Sequence, residues 1–223
     1  MKRFRLLAAA LLLLWSASLA AAVVSGKVAF AVKRGQKPVV TETLVWLDAQ
    51  GGKTPPKRPA AAVQMATRGK TVLPHVLAIP VGSTINFPNE DPISHNLFSL
   101  TAGNTFDLGL YRRGPGKTQK FDTPGPVNVY CNVHPTMSAV VHVMNTPWYG
   151  FADAAGSYSF DVPPGKYRLS AWNEQGGTTA TDIEVGADGK VAGATLLTID
   201  SRNYRAAQHK NKVGQNYKAP KDY

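Results

Sequence analysis

The 223-residue chain carries 25 Lys and Arg against 14 Asp and Glu, a formal charge of +11, with 43% hydrophobic and 17% charged residues. A chain of that balance folds rather than staying disordered, and its length suffices for one large or two small domains. A single cysteine excludes an internal disulfide and any cysteine-rich zinc or iron–sulfur centre, and five histidines are too few for a multicopper enzyme with a separate oxygen-reducing cluster.

The first residues read as an export signal spanning 1–22. Lys2, Arg3 and Arg5 form a basic head, Leu6 to Trp15 an apolar run, and Ser16 to Ala22 a small-residue stretch. Cleavage fits after Ala20 or after Ala22; the alternative is an uncleaved membrane anchor, since apolar character drifts on to Val24. Removing the three cationic residues of the head takes the formal charge from +11 to +8. The expected compartment is periplasmic or otherwise extracytoplasmic, with no integral membrane segment after cleavage. A lone thiol there is ligated, bridged to another chain, or reactive.

Beyond the signal the pattern is β throughout, punctuated by 20 glycines and 16 prolines. Val28 to Val32 and Leu44 to Leu47 are short apolar runs separated by a turn at Gly35 to Pro38. Gln50 to Pro59, rich in Gly, Pro and Lys, has the composition of a boundary. Strands then recur at Val76 to Pro80, Thr84 to Phe87, Lys117 to Phe121, Val127 to Cys131 and Ala139 to Val143. No window of helical length has a 3.6-residue apolar period. Alternation is cleanest after residue 150: Tyr158, Phe160 and Val162 share one face, Tyr167, Leu169 and Ala171 another, and Pro163-Pro164-Gly165 turns the chain between them. After Ile199 a basic tail of residues 200–223 has little apolar content and is expected to be loosely ordered.

The chemistry concentrates at two strand ends. Tyr130-Cys131-Asn132-Val133-His134-Pro135-Thr136-Met137 places thiolate, imidazole and thioether with two residues between each, in a loop that Pro135 stiffens. Phe87 to Asn96 ends in a second imidazole, His95. Together His95, Cys131, His134 and Met137 are the donor set of a mononuclear blue-copper centre, with Met137 as the weak axial ligand. Zinc would leave Met137 unexplained.

At these residues the chain resembles the cupredoxins. Val81 to Asp91 followed by His95-Asn96 looks like the cupredoxin strand that ends in the first histidine ligand, and Cys131-x-x-His134-x-x-Met137 matches the short ligand loop of amicyanin-type members. Phe106-Asp107-Leu108-Gly109 and Phe121 to Pro126 also fit small periplasmic cupredoxin-like proteins, often labelled methylamine-utilisation proteins. The resemblance covers roughly Val63 to Val143. It implies a Greek-key β-sandwich, one type 1 copper and single-electron transfer, with Asn96 bridging to the cysteine-bearing loop. A second resemblance, carried by Asp153 to Leu169, Ser25 to Val28 and Lys37 to Leu47, is to the carboxypeptidase-regulatory-like, transthyretin-like sandwich. Residues 23–50 and 147–199 would make one such small sandwich, with a cupredoxin domain at 51–146 inserted into it; two consecutive domains are the alternative.

The remaining candidates receive plainer readings. His75 sits on the sandwich rim, His142 faces solvent on its strand, and His209 is solvated in the tail. Trp46, Trp148 and Trp172 belong to sandwich cores rather than to an electron relay. No Ser/His/Asp arrangement stands out and a four-ligand site leaves no open position, so no enzyme activity is expected. An electron carrier and a copper-storage, copper-delivery or envelope-binding module remain the two function classes. The basic surface suits an acidic redox protein partner rather than nucleic acid, and the chain is expected to be monomeric.

Overall fold

The computed structural model describes residues 21–51, 57–206 and 208–217, and there the chain is all-β as expected, with one short 3-10 turn at Val40–Glu42. Most of the 1–22 signal segment lies outside the described residues, as do part of the 50–59 loop and the last six residues of the tail. Ala22 already opens the first strand, Ala22–Ala31. Among the described residues no helix is long and apolar enough to cross a membrane.

Two sheets enclose the first core. One runs Gly114–Phe121, Ser83–Asn89, Ala66–Arg68, Thr71–Leu73, with Ala62–Gln64 also on Ser83–Asn89. The other runs Val76–Pro80, Ser138–Met144, Gly125–Cys131, Leu97–Ser99, Phe106–Asp107. Their inward residues follow the period of two that a pleated strand imposes. Ser83, Ile85, Phe87 and Asn89 are buried on one strand, and Val127, Val129 and Cys131 on another. Met65, Phe121, Ala139 and Val141 close the interior between them. At Gly116, with φ +84°, a Cβ would clash with the Phe87 carbonyl oxygen, so only glycine permits that edge of the first sheet to lie so close.

The other two sheets enclose a second core. Ser157–Val162, Ala22–Ala31 and Leu196–Asp200 form one, and Tyr149–Phe151, Leu44–Gln50, Gly165–Asn173, Gly177–Val185 and Val191–Ala192 the other. Val24, Leu47, Val162, Leu169, Ile183 and Ile199 fill the space between. A small third cluster of Leu44, Met144 and Tyr149 joins the two bodies.

That junction corrects one expectation. His142 does alternate with Val141 and Val143 and so points away from the first core, but it does not meet solvent. It is 5% exposed, lies edge-on to Trp172 with ring centroids 4.3 Å apart, and has Trp46 at 6.5 Å. The strand Ser138–Met144 is thereby covered on both faces, one by its own sandwich and one by the neighbouring sheet. Burial alone pushes the His142 imidazole down to about 4, and its Nε2 has no hydrogen-bond partner among the described residues. His75 does lie on the rim: its Nδ1 meets the Ser138 carbonyl at 3.1 Å and its Nε2 meets Glu174 at 2.7 Å.

Candidate metal centre

Strand Gly125–Cys131 delivers Cys131 at its end on the inward-facing side, fully buried. The chain then turns back on itself. The Cys131 N–H donates to the Met137 carbonyl at 3.0 Å and the Met137 N–H to the His134 carbonyl at 3.2 Å, before Ser138 pairs with Tyr130 in the next strand. Cys131 and Met137 thus share the base of a tight loop, both buried, while His134 stands half-exposed near its tip and Val133 and Thr136 are exposed.

His95 arrives from the other side. Its backbone exchanges two hydrogen bonds with Tyr111, at 3.1 and 2.9 Å, which hold it beyond the end of Ser83–Asn89 with no exposed surface. The Asn132 N–H donates to the Asn96 carbonyl at 2.8 Å and ties the two ligand segments together. The bridge expected of Asn96 is therefore made by its backbone. Its side chain turns instead to Asp107, at 2.6 Å.

The result is a convergent set. The Nδ1 atoms of His95 and His134 each lie 3.7 Å from the Cys131 sulfur, and the three ligand atoms fall within 4.8 Å of one another. Two metal–ligand bonds of about 2.0 and 2.3 Å would span 3.7 Å at an angle of about 119°, close to trigonal. Among the described residues this is the one group of three or more His, Cys, Asp or Glu that meets the spacing of a metal site.

Asp91, not singled out from the sequence, fixes which imidazole nitrogen is free. Its Oδ2 lies 2.8 Å from His95 Nε2. A carboxylate accepts, so Nε2 carries the proton and Nδ1 presents a lone pair toward the sulfur. Asp91 is itself held by the turn between Ala66–Arg68 and Thr71–Leu73. The Gly69 N–H donates at 2.6 Å and the Lys70 N–H at 3.0 Å, Lys70 adopting a left-handed φ of 58°. Burial alone would raise the Asp91 carboxyl; the Lys70 and Gly69 amides and the His95 ring outweigh it and leave it below the usual range. Burial first, then His95 and Lys70, push the His134 imidazole below the ordinary histidine range, so it is neutral and able to ligate near pH 7.

Of the residues expected at the site, the structure brings His95, Cys131 and His134 together, buries Met137 in the same loop, and seats Pro135 between His134 and Met137. His209 departs from expectation. It stacks on Tyr130 with ring centroids 4.4 Å apart, and its Nε2 lies 3.2 Å from the His134 carbonyl. The donor chemistry fits copper. A cysteine sulfur shielded from water and two imidazoles, with a thioether in the same loop, combine soft and borderline ligands in the proportion a type 1 site uses.

No family model and no curated protein matches the chain. Solved structures do. It is similar to a reduced tryptophan-to-tyrosine variant of amicyanin, at 19% identity over 37% of this chain and 82% of that one, TM-score 0.36. It is similar to an oxidised methionine-to-lysine variant of amicyanin, at 16% identity over 44% and 99%, TM-score 0.35. It is also similar to a purple cupredoxin from Nitrosopumilus maritimus, at 25% identity over 37% and 99%, TM-score 0.31.

Proposed function

We propose that this chain binds one mononuclear type 1 copper through His95, Cys131, His134 and Met137 and acts as a single-electron carrier. The observation that supports it most directly is the meeting of two Nδ1 atoms on one buried cysteine sulfur at 3.7 Å each. Copper held there would supply a one-electron couple between Cu(II) and Cu(I). The protein's part is to keep ligand positions the same in both states. The Asp91–His95 side-chain pair, the backbone tie from Asn132 to Asn96 and the closed Cys131–Met137 loop fix three of the four donors, which limits the rearrangement that accompanies electron exchange. His134 is the one half-exposed ligand, so its edge is where a partner approaches. The residual charge of +8 after signal removal favours an acidic redox protein, in an extracytoplasmic compartment, with the carrier a monomer and not an enzyme. In this reading residues 23–50 and 147–199 form a second, regulatory-like sandwich that carries the 51–146 domain as an insertion.

The test is the absorption spectrum of the purified protein on stoichiometric addition of Cu(II), followed by voltammetry. An intense visible thiolate-to-copper band with reversible redox is expected, and Cys131→Ser removes the band while leaving the β fold intact. Absence of the band in the unmodified protein refutes the assignment. Cu(I) binding without reversible cycling would point to copper storage or delivery instead.

A further inference from the structure

The basic C-terminal segment does not hang free of the sandwich. Residues 208–217 lie across the outside of the ligand loop and engage it through His209, Lys212 and Tyr217. The His209 N–H donates to the Pro135 carbonyl at 3.3 Å, and His209 Nε2 meets the His134 carbonyl at 3.2 Å. The Lys212 N–H donates to Asn132 Oδ1 at 2.9 Å, and the Tyr217 hydroxyl donates to the Cys131 carbonyl at 2.6 Å. Lys212 Nζ reaches Asp107 at 2.6 Å, the same carboxylate that holds the Asn96 side chain. Lys212 first, then Asn96 and the Gly109 N–H, hold the Asp107 carboxyl down at about 2. The segment keeps its shape through a turn in which Asn211 Oδ1 accepts from Val213 and Gln215 N–H.

These contacts are not the by-product of apolar burial. No residue of the segment belongs to a core cluster, and Val213 is 68% exposed. They fall instead on the outward carbonyls of Cys131, His134 and Pro135, which the loop's own two hydrogen bonds leave open or only partly used. Two of those three carbonyls belong to proposed ligands.

We propose that residues 208–217 are a clasp that holds the Cys131–Met137 loop in its ligating shape, with His209 and Tyr217 as positioning residues that touch the backbones of the ligands and not the metal. The proposal rests on the metal-site reading for its purpose but not for its mechanics. Tyr217 has an electronic consequence as well. Its hydroxyl proton at the Cys131 carbonyl places the positive end of a dipole near the thiolate and so favours the reduced state of a bound redox metal.

The experiment uses the full chain and its Tyr217→Phe, His209→Ala and Val213→Ala variants. Without metal, Cys131 is titrated with an aromatic disulfide, which forms a mixed disulfide and releases a coloured thiolate. Because the sulfur is fully buried, the rate reports opening of the loop. Tyr217→Phe is expected to raise it about fivefold, the factor that ~1 kcal/mol of lost hydrogen bond amounts to. His209→Ala, which loses a ring contact and the Nε2 hydrogen bond, should raise it further, and Val213→Ala should leave it unchanged. The rise should exceed any change in global stability measured by urea. Loaded with copper, Tyr217→Phe should keep its visible band and show a lower midpoint potential. An unaltered thiol rate in both the Tyr217 and His209 variants overturns the clasp, and an unmoved potential in Tyr217→Phe refutes the electronic consequence assigned to its hydroxyl. Faster thiol chemistry in the variants, together with no visible band in any protein, upholds the clasp and refutes the copper reading.

Discussion

Acidification from pH 7 to about pH 5 should cost this protein stability at a residue remote from the metal centre. His142 is walled in by Trp172 and Trp46, and burial holds its imidazole at about 4 against an ordinary 6.5. The folded state therefore keeps the ring neutral while the unfolded chain takes up a proton. Stability from this residue is intact above 6.5 and is lost progressively as pH falls from 6.5 toward 4. At pH 5 the unfolded ring lies one and a half units below its midpoint, and at about 1.4 kcal/mol per unit the loss is ~2 kcal/mol. His75 works in the opposite direction: its Glu174 partner raises it, so it adds stability as pH falls. The measurement is urea unfolding of the metal-free protein at both pH values, alongside His142→Phe, which keeps an aromatic ring and removes the titration. Every other group cancels in the difference between the two proteins. The unmodified protein should lose ~2 kcal/mol more than the variant. Equal losses would show that the ring is hydrated or that the two sandwiches part before the rest unfolds.

Two further outcomes concern the metal centre. Asp91→Asn replaces a carboxylate that accepts from Gly69, Lys70 and His95 with an amide whose nitrogen cannot accept. Copper affinity by chelator competition should fall about 10- to 100-fold, with the visible band retained. Met137→Gln should leave copper bound but lower the midpoint potential in voltammetry, because an oxygen donor favours Cu(II); an unchanged potential with markedly weaker Cu(I) binding would favour storage or delivery over electron transfer.

The legibility of this protein from its sequence divides along physical lines. Cys131, His134 and Met137 lie close in the chain, and a strand ending in a Pro-stiffened loop brings them near each other with little help from the rest of the fold. His95 was legible as an imidazole just beyond a strand end, in a segment that resembles a cupredoxin ligand strand. Asp91 was not, because its importance depends on the amides of Gly69 and Lys70, which nothing local connects to residue 91. At His142 the alternation was read correctly and the conclusion was still wrong. A period of two tells which face leaves the first core, and it says nothing about what a second sheet sets against that face. His209 and Tyr217 left no pattern at all, since they dock by hydrogen bonds to carbonyl oxygens rather than by an apolar stripe.

The double coverage of Ser138–Met144 also governs which sequences this strand tolerates. Its hydrogen-bonded neighbour Gly125–Cys131 has an inner face of Val127, Val129 and Cys131 and an outer one where Asn128 is exposed, so substitutions there should alternate between damaging and harmless. Along Ser138–Met144 every position after the first is buried. A systematic scan should find no such rhythm in it: charged replacements fail at even and odd positions alike, and the freedom that a sandwich strand normally keeps on its outer side is absent.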